Sequence, residues 1–107
     1  MVGARTGISH GLANAVILAH AVRFNADAVP EVIAQLAAAF GRRDGDAAAA
    51  IDELRTRLGL PAQLSACGVS AEDIEVIARL SPASVALARN PKRVREEDAR
   101  AILAAAL

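Results

Sequence analysis

Gly7-Ile-Ser-His-Gly-Leu-Ala-Asn-Ala-Val-Ile-Leu-Ala-His-Ala-Val-Arg-Phe-Asn25 is the stretch of sequence that decides the fold. Nearly every side chain from residue 11 to residue 23 is apolar, and a helix that is apolar all round is normally buried on all sides. His10 and Gly11 stand where a loop enters this predicted helix. A buried imidazole at a helix entrance needs a reason, and metal ligation is a leading one.

The composition indicates a single helical domain. The chain has 107 residues, which is enough for one hydrophobic core. Its hydrophobic fraction of 54% comes from Ala, Leu, Val and Ile, whereas aromatic residues make up 2%, namely Phe24 and Phe40. This balance is typical of helices rather than strands. We therefore predict an all-α fold over residues 1–107, a bundle of five to seven short helices.

Charge and cysteine content narrow the class of protein. The formal net charge is zero, so no overall field attracts nucleic acid or an anionic membrane. The single Cys67 excludes an internal disulfide and fits a reducing cytosol. No signal peptide is evident, and the apolar run over residues 15–22 is too short to span a bilayer. We expect a cytoplasmic protein with neither a nucleic-acid partner nor a membrane partner.

Apolar periodicity predicts the second and third helices. One helix begins with Pro30 in its first turn and ends at Gly41. Its apolar face repeats with helical spacing and comprises Val29, Val32, Ile33, Leu36, Ala37 and Phe40. The next helix is capped by Asp44 or Asp46. Its apolar face comprises Ile51, Leu54 and Leu58, and Glu53 is expected to pair with Arg57 on the other side.

Short helices are predicted over the remainder of the chain. A helical turn over residues 64–67 stops at Gly68, and Ser70 with Asp73 is close to a capping box. Ser81-Pro82 begins a short helix through Val85 and Leu87 to Arg89, and residues 90–93 form a turn. The last helix begins near Glu96. Its apolar face comprises Ile102, Leu103, Ala106 and Leu107.

The opening stretch resembles the iron-containing (group III) alcohol dehydrogenase family, which includes the maleylacetate reductases. Members carry Pro-His-Gly running into Ala-Asn-Ala, then an apolar run, Pro-His and Phe-Asn or Tyr-Asn. The matching positions are His10-Gly11, Ala13-Asn14-Ala15, His20 and Phe24-Asn25, while Ser9 and Ala19 replace the usual prolines. A weaker likeness reaches the end of the chain, where Asn90-Pro91-Lys92 corresponds to the family's Asn-Pro-Arg.

The resemblance implies a domain organisation. Members have an N-terminal nucleotide-binding α/β domain and an all-helical C-terminal domain of the dehydroquinate synthase-like type. This chain is similar to part of the second domain, so the nucleotide-binding domain is expected to be absent from it. One Asp and three His hold the metal in the family. His10 corresponds to one ligand, and the other ligand positions would precede Met1.

The resemblance also implies the reaction of the full-length family members, which is NAD(P)-dependent hydride transfer at an alcohol or carbonyl carbon. Fe²⁺ or Zn²⁺ would polarise the substrate oxygen as a Lewis acid. NAD(P) binding is implied for the full-length family only, because this sequence has no Gly-rich turn between a strand and a helix. His10 is therefore the one site residue predicted here, as a metal ligand, and no catalytic or cofactor-binding residue is assigned.

No self-sufficient metal site is predicted from the sequence. One imidazole binds a divalent ion weakly, and stable sites use three or four protein ligands. His20 lies about 80° around and about 15 Å along the helix axis from His10, so one ion cannot bridge them. Cys67 has no partner at metal-ligand spacing, and packing is favoured for His20. Asn14 has two open roles, a hydrogen bond to a backbone group or a place at the floor of the site.

Two short basic clusters are predicted to be solvated surface. They are Arg42-Arg43 and Lys92-Arg93 with Arg95. A nucleic-acid patch is disfavoured, because no aromatic residue interleaves with these cations and acids offset them.

Two functions of different class stay open. In the first, the chain is the C-terminal metal-binding portion of an oxidoreductase, and a longer product or a separate chain supplies the nucleotide-binding domain. In the second, it is a non-catalytic helical module for dimerisation or interaction. The absent domain would leave the apolar first helix partly uncovered, and large exposed apolar patches mark interfaces. We therefore expect a homo-oligomer rather than a monomer.

Overall fold

The computed structural model describes residue 7 and residues 10–84 and 89–107, with the side chain of His10 excepted. All the regular elements in these ranges are helices, which confirms the all-α prediction. The helices are α1 (His10–Asn25), α2 (Pro30–Ala39), α3 (Ala47–Arg57), α4 (Ala71–Leu80) and α5 (Glu96–Ala106), with 3-10 helices at Leu64–Cys67 and Ser81–Ala83. None of the described helices has the length and apolar character needed to cross a bilayer.

The main helix contacts follow a simple succession. α2 packs on α3, α3 on α1, α1 on α5, and α5 on α4. α1 therefore lies at the centre of the succession, while α2 and α4 lie at its two ends. The arrangement is flattened, with principal extents of 38 × 31 × 18 Å.

The larger core joins the first half of α1 to α4, α5 and the Leu64–Cys67 helix. Its buried members are Ala13, Val16, Leu64, Val69, Ile74, Ile77, Leu103 and Ala106. Leu64 is completely buried. The next residue, Ser65, donates both its backbone N–H and its hydroxyl to the carbonyl oxygen of Leu107, at 3.1 and 2.6 Å. These bonds fasten the end of α5 to the 3-10 helix.

The smaller core joins the second half of α1 to α3. It consists of Ala19, Ala48 and Ile51, with Val22 packed against it. Two of its three buried side chains are single methyl groups, which allow two helix backbones to approach closely. A salt bridge of 2.6 Å between Arg23 and Asp52 also links α1 to α3.

Local signals correctly predict several helix ends. Gly41 follows α2 with φ +83°, a left-handed conformation that favours glycine. Asp46 caps α3 by accepting a hydrogen bond of 3.0 Å from the backbone N–H three residues later. Ser70 and Asp73 form the predicted capping box, in which each side chain accepts from the other's backbone N–H. The 3-10 helix over residues 64–67 ends at Gly68 as predicted.

The apolar face predicted for α2 is mostly exposed in the structure. Ala37 is the buried residue of α2, and Ile33 is half-buried. Val32, Leu36 and Phe40 retain 57%, 36% and 43% of their exposure. The physical reason is the position of α2 at the end of the succession, where α3 covers one side of it.

The apolar face predicted for α3 is likewise buried only in part. Ile51 is buried, but Leu54 and Leu58 are exposed, and alanines at the start of α3 supply the remaining buried contacts. Glu53 accepts a hydrogen bond of 2.9 Å from Arg42, rather than forming the expected pair with Arg57. The helix turns its small residues, not its leucines, toward α1.

The helices predicted for the C-terminal part of the chain are confirmed in part. The helix that begins at Ser81-Pro82 is confirmed only over Ser81–Ala83, because Ser84 is already extended. Its continuation through Val85 and Leu87 lies outside the described residues. α5 begins at Glu96 as predicted. Of its expected apolar face, Leu103 and Ala106 are buried, whereas Ile102 and Leu107 are half-buried.

Candidate functional site

His10 is the first residue of α1, as the sequence predicts. Gly7 lies three residues earlier with φ +79°, a left-handed conformation that permits the chain to turn toward the helix. The first backbone N–H groups of a helix have no partner within it and can face a ligand or a side chain. The backbone therefore puts residue 10 at the N-terminal end of α1. Metal ligation by its imidazole stays a prediction, because the side chain of His10 is not among the parts that the structure describes.

One face of α1 is uncovered next to His10. Asn14 and Leu18 follow it by four and eight residues and so lie on the same face of the helix. Both are exposed, Leu18 by 48%. Val16 and Ala19, on another face, are buried. The main neighbours of α1, α3 and α5, leave this face open, so α1 is not buried on all sides in this chain.

The side-chain amide of Asn14 makes no hydrogen bond within the described part of the chain, although it is a polar group in an otherwise apolar turn. A bond from its amide to a backbone group, one of its two open roles, therefore finds no support. A place beside a site built around His10 stays a prediction.

The described ranges contain no group of three His, Cys, Asp or Glu side chains that could hold a metal ion. His20 does not supply a second ligand next to His10, since ten residues separate the two along α1. The charges that act on His20 are Arg23, Asp52 and Arg55. Two of these three groups are cations, which oppose a further positive ion at that position.

His20 is half-buried on α1 near α3. Burial lowers its pKa from the ordinary value of 6.5, and the positive charges of Arg23 and Arg55 lower the pKa further, while Asp52 raises it. The imidazole is therefore neutral at pH 7. A neutral, half-buried ring agrees with the packing role favoured by the sequence.

Cys67 lies at the end of its 3-10 helix, half-buried against the larger core. Its Sγ is 3.8 Å from the carbonyl oxygen of Gln63, a contact within that helical turn. The thiol thus packs like a small apolar side chain.

Acidic side chains neutralise much of the two basic clusters. Arg42 pairs with Asp44 at 2.6 Å and with Glu53 at 2.9 Å, and its hydrogen bond to Asp44 lowers the pKa of that carboxyl to about 2. Lys92 pairs with Asp27 at 3.2 Å. These ion pairs leave less positive charge available to a phosphate backbone. The expectation of no nucleic-acid partner stays a prediction.

Sequence reasoning missed an asparagine pair, Asn25 with Asn90, that fixes the end of α1. Asn90 Nδ2 donates to Asn25 Oδ1 at 2.7 Å, and Asn25 Nδ2 donates back to Asn90 Oδ1 at 3.0 Å. The same Asn90 amide also donates to the Lys92 carbonyl, and the Lys92 ammonium lies 4.6 Å from the centroid of the Phe24 ring. These contacts join segments 65 residues apart. The only available signal was that both segments belong to the family resemblance.

A cleft of about 520 Å³ lies between the Ser81–Ala83 helix and residues 90–96. Ser84, Arg93 and Arg95 contribute polar groups to its lining. Residues 85–88 connect the two sides of the cleft in sequence and lie outside the described ranges. We therefore assign no ligand to it.

Known proteins are similar to this chain in sequence. The family model described as "Fe-containing alcohol dehydrogenase family, C-terminal" matches residues 1–107. A maleylacetate reductase of Rhizobium sp. (strain MTP-10005) is 35% identical over 78% of this chain, which corresponds to 23% of that protein. A 4-hydroxybutyrate dehydrogenase of Cupriavidus necator is 35% identical over 95% of this chain and 28% of its own length. The chain thus spans about a quarter of the length of these curated relatives.

A solved structure matches the helices. The crystal structure of a 1,3-propanediol oxidoreductase superposes with a TM-score of 0.94 at 31% sequence identity. The match covers 99% of this chain and 30% of that chain. The predicted fold and the family resemblance are both confirmed.

Proposed function

The chain belongs to the Fe-containing alcohol dehydrogenase family, and from this membership we propose that it is the C-terminal helical portion of an NAD(P)-dependent oxidoreductase. The substrate class is an alcohol or its carbonyl counterpart, which the names of the relatives support. The observation that carries the proposal is the start of α1, where the matched segment His10-Gly11 opens a helix with one uncovered face.

The proposal includes a metal ion that is bound jointly by this chain and by another part of the enzyme. Zinc sites use three or four protein ligands, and the described residues contain no such group. We therefore derive no catalytic step from this chain alone. His10 supplies one ligand to Fe²⁺ or Zn²⁺, and the other ligands come from a longer polypeptide or a second chain.

The position of the missing part follows from the same geometry. Ligands of one ion lie within about 2.0–2.3 Å of it, so the part that supplies them must approach α1 at His10. Asn14 and Leu18 on the adjoining uncovered face are available to contact it. We assign NAD(P) binding to the nucleotide-binding part that the family implies, since the elements of the described residues are all helices and a dinucleotide fold is built around strands.

A cytoplasmic location completes the proposal. Cys67 is a free thiol, and the chain has no second cysteine with which to form an internal disulfide. Such cysteine usage is common in the reducing cytosol.

A chimaera tests the function. In this chimaera, residues 1–107 replace the matching segment of the 1,3-propanediol oxidoreductase, chosen for its structural match. We expect the purified chimaera to bind stoichiometric metal, measured by elemental analysis, and to catalyse nicotinamide-dependent turnover of that enzyme's substrate. His10→Ala should remove both the bound metal and at least about 99% of the turnover, because the ion loses a direct ligand.

The matched control is His20→Ala, on the same helix but nearly three turns away. This variant should keep its metal content. A folded chimaera whose metal content and turnover do not depend on His10 would refute the proposal, and circular dichroism before assay identifies variants that fail to fold.

A second candidate function is a helical module for homo-oligomerisation or interaction, without catalysis. The exposed large apolar side chains favour it, since a monomer would leave them in water. They are Leu18, Val32, Leu36, Phe40, Leu54, Leu58, Leu60 and Leu80. A chimaera that folds but stays inactive, together with self-association of the 107-residue chain, would favour this module over the enzyme. A neighbouring gene for the nucleotide-binding half would favour the enzyme.

A further inference from the structure

The helical hairpin formed by α2 and α3, residues 30–57, is attached to the rest of the fold mainly through α1. α3 packs on α1, while the main contact of α2 is α3 itself. α4 and α5 lie beyond α1, where they form the larger core with its first half. The α2–α3 hairpin can therefore separate from α1 while the larger core stays intact.

The apolar part of this attachment is small. The buried side chains of the smaller core are Ala19, Ala48 and Ile51, with Val22 packed against them. An open pocket of about 250 Å³ borders this core and is lined in part by Val22 and Ala48. Because apolar burial stabilises in proportion to the area removed from water, this contact contributes less to stability than the larger core does.

A cluster of charges lies at the same contact. Arg23 Nη2 on α1 is 2.6 Å from Asp52 Oδ2 on α3, and Arg55 Nη2 is 3.7 Å from the other oxygen of that carboxylate. His20 is half-buried and lies about one turn before Arg23 on α1. The same three charges act on its ring. A neutral imidazole thus lies beside two guanidinium groups that share one carboxylate.

We propose that protonation of His20 releases the α2–α3 hairpin from α1, so that this contact is an acid-sensitive switch. An imidazolium adds a third positive charge to a cluster whose one carboxylate is Asp52. Half-burial also deprives a charged ring of part of its hydration. Detachment returns His20 to water and relieves this second cost, while Asp52 and Arg55 leave together with α3.

The direction of the pH effect follows from the attached state. Burial is the largest of the causes that lower the pKa of His20 below its ordinary 6.5, ahead of the nearby charges. Detachment removes the burial, so the pKa of the ring rises toward 6.5. The detached state therefore gains the proton first as the pH falls. The detached fraction should increase below pH 6.5 and level off below the pKa of the attached state.

The switch is separate from the proposed metal site. His10 begins α1, whereas His20 lies ten residues later, near α3. The first half of α1 stays in the larger core when the hairpin detaches. Failure of the switch therefore leaves the proposed function untouched, and failure of the His10 test in the chimaera leaves the switch untouched.

Amide hydrogen exchange of the 107-residue chain, followed by NMR from about pH 7.5 to about pH 5.5, tests the switch. Correction for the intrinsic pH dependence of exchange gives a protection factor for each amide. At about pH 7.5 the best-protected amides of α2 and α3 should have similar protection factors, at least about tenfold below those of α4 and α5. The protection of the hairpin should fall at least about twofold by about pH 5.5.

Substitution of each histidine identifies the proton. His20→Gln should abolish the fall in protection, because glutamine takes up no proton in this range. His10→Gln is the matched control, since the chain has two histidines and His10 lies at the other end of α1. This control should keep the fall, and circular dichroism shows that each variant keeps its helices.

Two neighbouring acids test the charge cluster. Asp52→Asn removes the carboxylate that two arginines share, so the protection of the hairpin should fall about threefold at about pH 7.5. Its further fall on acidification should be larger than in the parent chain, because Asp52 raises the pKa of His20. Glu53→Gln is the control. Glu53 pairs with Arg42 inside the hairpin, so its loss should leave the attachment to α1 unchanged.

Any one of four results would overturn the switch. The first is a hairpin that exchanges only together with α4 and α5, and the second is a hairpin whose protection does not change with pH. The third is a pH dependence that survives His20→Gln, and the fourth is one that His10→Gln removes equally. An Asp52→Asn variant that behaves like Glu53→Gln would also overturn it, because the charge cluster would then not hold the hairpin.

Discussion

The two halves of α1 pack against different kinds of core. Its first half joins a core built largely of Leu, Ile and Val, with α4, α5 and the 3-10 helix around it. Its second half meets α3 mainly through Ala19, Ala48 and Ile51. Large apolar residues are present on α2 and α3 too, but there Val32 and Leu58 remain 57% and 63% exposed.

The contrast suggests that one end of the molecule provides most of the stability, whereas the other end provides exposed apolar surface. Burying a branched aliphatic side chain contributes about 1.5–3 kcal/mol, and burying a single methyl group contributes less. The larger core is therefore expected to hold the fold, whereas α2 and α3 form the less stable end. That same end keeps apolar surface available for a partner, as regions that bind often do.

The largest effect is expected in the larger core. Leu64→Ala should lower the free energy of unfolding by about 4 kcal/mol, because Leu64 is completely buried and its removal leaves a cavity. Ile51→Ala in the smaller core should cost about 2 kcal/mol, the low end of the same range. Urea unfolding followed by circular dichroism measures both.

Leu58→Ala is the exposed control and should change stability by less than about 0.5 kcal/mol. If Ile51→Ala proved as costly as Leu64→Ala, the distinction between the two cores would be lost. A large cost for Leu58→Ala would show that α3 is covered in solution.

A smaller effect is expected at the asparagine pair. Asn90→Ala removes the hydrogen bonds to Asn25 and to the Lys92 carbonyl, and should cost about 1–2 kcal/mol in urea unfolding. Asn14→Ala is the matched control. It should leave stability unchanged or raise it by about 0.5 kcal/mol, because Asn14 is exposed in a helix and alanine favours helices. Equal costs for the two variants would mean that the pair does not fasten α1.

The smallest effect is a pH dependence at the α1–α3 contact. Because the pKa of His20 in the fold lies below its ordinary 6.5, the unfolded chain takes up the proton first as the pH falls. The free energy of unfolding should therefore decrease as the pH falls below 6.5, and level off below the folded pKa. The lowered carboxyl pKa values of Asp44 and Asp98 act in a separate window, below their ordinary 3.8.

An NMR titration of His20 and urea unfolding on both sides of pH 6.5 measure this effect. His20→Gln should remove the decrease while keeping the fold. A titration midpoint above 6.5 would contradict the placement of His20 between two arginines, and so would an unchanged slope in the variant.

Short-range chemistry was predictable from the sequence. The capping box of Ser70 and Asp73, the cap at Asp46 and the stop at Gly41 each depend on residues within one helical turn. Such local signals do not depend on how the rest of the chain packs.

Burial across helices was harder to predict. Periodicity correctly gave α2 an apolar face, but periodicity cannot say whether another helix covers Leu36 and Phe40. Hydrophobicity favoured Leu54 over Ala48 for the buried side of α3, yet the close contact with α1 selects the smaller side chain. The asparagine pair depends on a chain return over 65 residues, which no local pattern contains.

The candidate site was predictable only through resemblance. A single histidine at a helix entrance is compatible with capping, packing or ligation, and the described residues contain no group of three His, Cys, Asp or Glu side chains that would favour ligation. The family resemblance around His10 favours ligation, and the role of His10 as a ligand stays a prediction.

Titration with Zn²⁺, and with Fe²⁺ under anaerobic conditions, tests most directly whether His10 is one ligand of a site completed outside this chain. Calorimetry should detect binding no tighter than about millimolar for the 107-residue chain, as expected of a lone imidazole. The chimaera should bind with sub-micromolar affinity, and His10→Ala should abolish that binding. Sub-micromolar binding by the chain alone, lost in His10→Ala, would contradict this claim, because the chain would then assemble a complete site by itself.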